Sequence, residues 1–320
     1  MTWKKTFLFV FALALVASFY YFKVYERPST ERFFSFSSDP ARARILTLKK
    51  NEKESVNRLT LRDAAKGTQI SFSKSGDGTW HITQPIDYPA EPVMVDGFVS
   101  LLRLTPRARQ LSFEGLEASE FGFDEPRLAV CISTDRTPEE RCLLIGSEAA
   151  IAKGAYAKWQ HEPTYFLVDV SFLSAFDKTL YAVRKKQIFT LLEKEISSIQ
   201  FNSSKREFEI HHTGKHWLLK RPVEAILGPE AINDLLTHLN ELYVKEFLDH
   251  ERWQDPKLGL KPASRVIQIK FQDGSEQVLF QGREMAGHEA YYAQEGEDKT
   301  ILLISSGKLN NIEKMFRELV

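Results

Sequence analysis

Short stretches of the chain alternate between apolar and polar residues, and the order of these stretches occurs twice. In the first half, the alternation at 56–61 and 69–73 predicts antiparallel strands with one buried face each. The run Pro92–Leu104 instead places apolar residues three and four apart, which predicts a helix that begins at a proline. A short helix at 116–121, a four-strand meander and a closing helix are predicted to follow.

The second half predicts the same elements in the same order. Strands at 196–201 and 208–210 precede a helix at 229–242, and a hairpin around Asp273-Gly274 opens another meander. An amphipathic helix at 309–319 closes the chain. The shared order of strands, helix, strand, short helix, meander and helix predicts an α+β fold. We expect two tandem units, each with helices packed on one face of a mainly antiparallel sheet.

Single residues at fixed spacings link the two halves. Trp80 and Pro85 are five residues apart, as are Trp217 and Pro222. Five more landmarks recur at a constant spacing of 136 residues: Pro126, Gly146, Tyr156, Val168 and Leu173 become Pro262, Gly282, Tyr292, Ile304 and Leu309. A constant spacing of this kind indicates one structural unit used twice.

The N-terminus has the features of a membrane anchor. Lys4 and Lys5 precede an uncharged apolar run that ends before Lys23, so we predict a cytoplasmic tip at 1–5 and a transmembrane helix at 6–23. A cleaved signal peptide is the alternative, because small residues at 16–18 resemble a cleavage site. Both alternatives place the rest outside the cytoplasm. The anchor predicts a single-pass protein of the bacterial inner membrane with its bulk in the periplasm.

The remaining chain divides into four predicted segments. They are a linker at 24–44, a first unit at 45–178 that opens with a strand at 45–48, a connector at 179–194 and a second unit at 195–320. The connector carries Arg184, Lys185 and Lys186, which form either a basic patch for a partner or, as we prefer, a solvated face.

Composition excludes some classes of function. Lysine plus arginine equals aspartate plus glutamate, 43 each, and a nucleic-acid-binding protein usually has a basic excess, so no nucleic-acid partner is expected.

The chain has two cysteines, Cys131 and Cys142. They lie on the two arms of a predicted hairpin and either form a disulfide in an oxidising compartment or stay free as small apolar residues. The constant spacing supports the second alternative, because it matches them with Ile267 and Val278.

The sequence predicts no catalytic residue, no cofactor and no metal site. His211, His212 and His216 are the densest group of metal-binding residue types, but neighbouring residues on a strand face opposite ways. Four aromatic residues that recur in both halves, Trp80, Trp217, Tyr156 and Tyr292, could line a binding groove between the units. We favour a structural role, since aromatic side chains bury large areas.

The repeated motifs resemble the domain-of-unknown-function family numbered forty-three forty (DUF4340). The motifs are the tryptophan five residues before the proline, Gly122-Phe123-Asp124-Glu125-Pro126, Gly259-Leu260-Lys261-Pro262, and the glycine then tyrosine of the meander. The first glycine-to-proline segment is one residue longer than the second. The resemblance implies association with ABC transporters of the gliding-motility auxiliary type, and it supplies no catalytic residues.

Three hypotheses of function follow. The first is a non-enzymatic, membrane-anchored periplasmic scaffold for a membrane complex, with ABC permease or ATPase subunits as partners. The second is a periplasmic binding module for a cell-envelope glycan or lipid. The third, which we favour least, is a hydrolase without a recognisable motif.

Overall fold

The computed structural model describes residues 43–48, 54–64, 66–111, 117–149, 153–252 and 254–320. The chain divides into two compact units between Val183 and Arg184, inside the predicted connector. The predicted cytoplasmic tip, anchor and nearly all of the linker lie outside the described residues. Among the described residues, no helix has the length and apolar character needed to cross a bilayer.

Nine described strands form one antiparallel sheet in the first unit, in the order β4-β3-β2-β1-β6-β7-β8-β9-β5. The strands are β1 Val56–Asp63, β2 Thr68–Lys74, β3 Trp80–Gln84, β4 Tyr88–Pro89, β5 Ala108–Leu111, β6 Leu128–Thr134, β7 Arg141–Glu148, β8 Gly154–Trp159 and β9 Tyr165–Asp169. The helices are α1 Pro92–Leu104, α2 Val170–Phe176 and α3 Leu180–Val183, with a 3₁₀ turn at Ala118–Phe121.

The second unit repeats this topology strand for strand, in the order β13-β12-β11-β10-β15-β16-β17-β18-β14 among the described strands. The strands are β10 Ile196–Ser203, β11 Glu207–His212, β12 Trp217–Arg221, β13 Ala225–Leu227, β14 Val244–Leu248, β15 Arg265–Phe271, β16 Glu276–Met285, β17 Ala290–Glu295 and β18 Ile301–Ser305. The helices are α4 Pro229–Asn240 and α5 Ser306–Glu318, with 3₁₀ turns at Glu193–Glu195 and Pro256–Leu258.

Each unit buries its main core between its helices and one face of its sheet. In the first unit, the rings of Phe98 in α1 and Phe176 in α2 stack with centroids 5.2 Å apart above the sheet. In the second unit, Phe316 of α5 packs against Phe201 and Phe208 with centroid distances of 4.9 and 5.6 Å. A fully buried phenylalanine contributes roughly 1.5–3 kcal/mol, so these rings supply much of the stability of each unit. The two mainly antiparallel sheets agree with the predicted tandem units.

The two sheets also share their irregularities. Corresponding strand pairs have a shift in register, of the kind a β-bulge produces, at corresponding positions. The shift between Val56 and Arg58 in the first unit matches the shift between Ile196 and Ser198 in the second. In the same way, the shift between Ser71 and Phe72 matches the one between Glu209 and Ile210. The shift between Ile145 and Glu148 matches the one between Gln281 and Glu284. The duplication therefore extends to local backbone geometry.

Two expectations from the sequence are wrong in detail. Residues 45–48 do not form a strand, because the N–H groups of Ile45 and Leu46 donate to Thr105 O and Leu102 O, which are carbonyls at the end of α1. The match of Cys131 with Ile267 is also wrong. The spacing of 136 residues matches Cys142 with Val278. In the sheets, Cys131 lies opposite Cys142, and Gln268 lies opposite Val278. Gln268 is therefore the counterpart of Cys131. Between the landmark proline and the next strand, the second unit has one residue more.

A turn crosses the helix-free face of each sheet at a glycine. We call residues 118–123 and 256–260 the crossing turns; each reverses at a glycine in the left-handed region, Gly122 with φ 72° and Gly259 with φ 66°. A Cβ atom on Gly146 of β7 would lie 2.0 Å from Phe121 O, and one on Gly282 of β16 would lie 2.1 Å from Leu258 O. Only glycine lets the turn lie this close to the strand.

Replacing the glycine under the crossing turn should destabilise the first unit. We expect Gly146→Ala to lower the free energy of unfolding by more than about 2 kcal/mol, because the new methyl group must displace backbone rather than a side chain. Urea unfolding of the whole chain measures this. Gly97→Ala is the control: it lies in α1 with open space around it, and it should be neutral or stabilising by up to about 1 kcal/mol. Equal effects of the two substitutions would contradict the assignment.

Candidate functional site

The two recurring tryptophans lie in the cores of their own units. Trp80 and Trp217 are 2% and 4% exposed. Their indole Nε1 atoms donate to Asp96 Oδ1 at 2.8 Å and to Glu193 Oε1 at 2.9 Å. Neither ring is available to stack on a ligand, so both tryptophans act in packing.

The two recurring tyrosines lie beneath the crossing turns. The ring of Tyr156 packs edge-on against Phe121 with centroids 4.8 Å apart, and Tyr292 packs against the small apolar cluster of Leu258 and Leu260. Both tyrosines are half-buried. Each tyrosine therefore helps to fix a crossing turn to its own sheet.

In the part of the chain that the structure describes, the crossing turn leaves the β1–β3 and β6 half of the first sheet uncovered on its helix-free side. We call this surface the first open face; it surrounds a cavity of about 530 Å³. Its polar side chains are Arg58, Thr60, Arg62, Gln69, Ser71, Ser73, Thr83, Gln84, Ser133 and Glu140. Hydroxyl, amide and guanidinium groups predominate, so this face is suited to a hydrophilic ligand.

A chain of hydrogen bonds organises the middle of the first open face. Thr60 Oγ1 donates to Ser71 Oγ at 3.3 Å, and Gln69 Nε2 donates to Gln84 Oε1 at 2.6 Å. Ser71 Oγ also donates to Gln84 Oε1 at 3.3 Å. These contacts restrict the rotamers of the side chains before any ligand arrives, which reduces the entropy cost of binding.

A disulfide between Cys131 and Cys142 lies beside this chain of side chains. Arg62 Nη1 is 3.3 Å from Cys131 Sγ and 3.7 Å from Cys142 Sγ, and Arg62 Nη2 contacts Glu140 Oε2 at 2.7 Å. The two cysteines and Glu140 are close enough together to hold a metal ion. In the disulfide, however, neither sulfur is a thiolate, the form of cysteine that binds metals.

The second unit has a charged surface at the corresponding place, the second open face. His211 Nε2 lies 2.7 Å from Glu209 Oε1, and Arg221 reaches Glu207 at 2.6 Å and Glu209 at 3.4 Å. The hydrogen bond from His211 holds the pKa of the Glu209 carboxyl below its usual range. Oppositely charged groups on this face neutralise one another.

The histidines are separated, as the sequence predicts for neighbouring strand residues. His212 stacks on Trp217 with centroids 4.5 Å apart, whereas His211 pairs with Glu209 on the open face.

The position of Arg184 contradicts our preferred interpretation of the basic connector residues as a solvated face. Arg184 is 2% exposed and bonds Asp249 through both guanidinium Nη atoms, at 2.7 and 3.0 Å. Its role is therefore structural.

An apolar groove of about 690 Å³ borders the crossing turn of the second unit. Leu260, Pro262, Val266 and Phe280 line it, with Gln294 as a buried polar group. Gln294 Nε2 donates to Asp298 O at 2.8 Å. The groove offers an apolar surface next to a charged one, a combination common in protein interfaces.

A small cavity of about 130 Å³ in the first unit brings Lys66 near Ser174, two residue types that some hydrolases use. Lys66 contacts Asp177 and lies 3.4 Å from Asp63. The hydrogen bond with Asp177 raises the pKa of Lys66, so this amine stays a cation and is a poor general base. The arrangement favours an ion-pair network over catalysis.

Sequence reasoning missed both open faces, although a signal was present. Along β1 and β11, polar residues alternate with buried apolar ones; these polar residues are Arg58, Thr60, Arg62, Glu207 and Glu209. Alternation predicts that such residues share a face. It does not show whether a turn covers that face, and this depends on the crossing turns.

The ion pair of Glu209 predicts a pH-dependent contribution to stability. Because the folded-state pKa of Glu209 lies below its unfolded value, the interaction stabilises the fold above the unfolded pKa and is lost as pH falls through the folded pKa. We expect Glu209→Gln to cost up to about 1 kcal/mol at pH 7 and less at pH 3. Urea unfolding at both pH values tests this, with the exposed Glu297→Gln as control. An equal cost at the two pH values would refute it.

Comparison with known proteins identifies a family. The family model described as "Domain of unknown function (DUF4340)" matches residues 80–262 in one continuous stretch. That stretch begins at Trp80 and ends at Pro262, both of which are landmarks of the repeat, and it covers more than half of the chain. No curated protein and no solved structure matches the chain. The chain belongs to the DUF4340 family.

Proposed function

We propose that this DUF4340 protein is a non-enzymatic, membrane-anchored periplasmic adaptor of a membrane complex, an ABC-type export system in particular. Its two units would hold the periplasmic parts of membrane subunits in place. The family resemblance supports the choice of complex, since it implies association with ABC transporters. Permease and ATPase subunits are therefore the proposed partners.

One observation carries the proposal: the two units share their frame and differ on their open faces. The recurring tryptophan, glycine and tyrosine residues build cores and crossing turns in both units. The open faces differ in chemistry, with hydroxyl and amide groups on the first and paired charges beside an apolar groove on the second. A duplicated frame with two different surfaces is suited to binding two different partners.

The second open face is the proposed docking surface for a protein partner. Burial of the groove around Val266 and Phe280 would supply apolar contact area, at roughly 25 cal/mol per Å². The ion pairs around Glu209 would form a polar rim, which favours specificity over affinity.

The proposed location rests on two further features. The apolar run within residues 6–23 precedes both units and is long enough to act as an anchor. The Cys131–Cys142 disulfide is the kind of bond that persists in an oxidising compartment such as the periplasm.

The second candidate function is a periplasmic binding module for a cell-envelope glycan or lipid. The polar cavity of the first open face favours it. Because Trp80 and Trp217 are buried, such a module would bind through hydroxyl, amide and guanidinium groups rather than by aromatic stacking.

Site-specific photo-cross-linking in native membranes tests the adaptor function. We expect a benzoylphenylalanine at Val266, in the groove, to capture a membrane subunit that mass spectrometry identifies as an ABC permease or ATPase. The matched control is the same residue at Asn233, exposed on α4 of the same unit, which should capture several-fold less. Equal capture at the two positions, or no ABC subunit in either product, would contradict the proposal.

A further inference from the structure

Three side chains form a row across the first open face. In the sheet, Arg58 of β1 lies directly opposite Ser73 of β2 on one side and Ser133 of β6 on the other. Directly opposed residues of antiparallel strands point to the same face with Cβ atoms about 4.5–5.5 Å apart. The row therefore places a guanidinium between two hydroxyl groups at one end of the cavity.

The cation in this row has no partner among the described residues. The Arg58 side chain is exposed, and no described carboxylate lies within ion-pair distance of it. The second arginine of the face, Arg62, is already neutralised by Glu140 at 2.7 Å. Among its described residues, the face thus has one uncompensated positive charge, located at the end where Ser73 and Ser133 lie.

The second unit shows that the fold does not require this row. There, Ser198 takes the place of Arg58, and His211 and Lys270 take the places of the two serines. Glu209 bonds His211 and lies near Lys270, so that row has its own carboxylate. Because the frame tolerates both rows, the arginine between two serines is specific to the first unit.

We propose that the first open face binds a phosphate group attached to a hydroxylated body, such as a sugar phosphate or a phosphoglycerol head group. The Arg58 guanidinium donates to two phosphate oxygens, and the hydroxyls of Ser73 and Ser133 donate to the phosphate oxygens within their reach. The hydroxylated body lies along Thr60, Ser71 and the two glutamines toward Arg62.

The dimensions of the face suit such a ligand. Arg62 lies four positions after Arg58 in β1, about 13 Å of strand length. Along that length Ser71 Oγ, Gln69 Nε2 and Gln84 Oε1 offer both donors and acceptors to hydroxyl groups. The cavity of about 530 Å³ lies within the range found for small-molecule sites.

Calorimetric titration of the purified full-length chain tests the site. The probes are glucose 1-phosphate, glucose, and vesicles of phosphatidylglycerol or phosphatidylcholine. We expect a phosphate probe to bind, glucose and phosphatidylcholine to bind at least tenfold more weakly or not at all, and Arg58→Gln to weaken binding by about tenfold or more. Preference for glucose 1-phosphate or for phosphatidylglycerol identifies the natural source as a soluble sugar phosphate or a lipid head group.

Two further variants make the titration specific. Ser73→Ala should weaken binding several-fold, whereas Lys270→Gln, which removes one positive charge from the corresponding row of the second unit, should leave the affinity unchanged. Thermal unfolding of each variant confirms that it is folded. The inference is overturned if neither phosphate probe binds, if glucose binds as tightly as glucose 1-phosphate, or if Arg58→Gln weakens binding no more than Lys270→Gln. This inference is independent of the adaptor function, and either can fail without the other.

Discussion

Both units depend on the passage of a turn over a glycine of the sheet. The carbonyl oxygens of Phe121 and Leu258 lie where any residue larger than glycine at positions 146 and 282 would place its Cβ atom. This close approach holds the crossing turn on the helix-free face, and the turn brings its apolar residues onto Tyr156 and Tyr292. A buried cluster on the second face of the sheet follows from this one steric condition.

The crossing turn also determines where a ligand or partner can bind. Among the described residues, the helices cover one face of each sheet and the turn covers part of the other, which leaves open the half formed by the first strands of each unit. On this half the two units have different chemistry: Arg58 lies between serines in the first, and Glu209 lies among cations in the second. Divergence on an open face is compatible with the shared frame because the core does not depend on it.

The sequence predicts the frame well because periodicity and spacing report on burial. The apolar stripe of α1, the alternation of β1 and β2, and the recurrence of Gly146 as Gly282 all agree with the observed order of elements. Three features depend on long-range pairing and could not be read from spacing. Residues 45–48 cap a helix instead of pairing as a strand, Cys131 is matched with Gln268 by strand register, and Arg184 is buried by pairing with Asp249.

Hydroxyl-radical footprinting of the intact chain in native membranes, compared with the purified chain, tests most directly whether the second open face is a docking surface. We expect oxidation of Pro262 and Phe280 in the groove to fall several-fold in membranes, while oxidation of the exposed Tyr243 in the same unit does not change. Equal oxidation of the groove residues in both preparations would contradict a docking role for this surface.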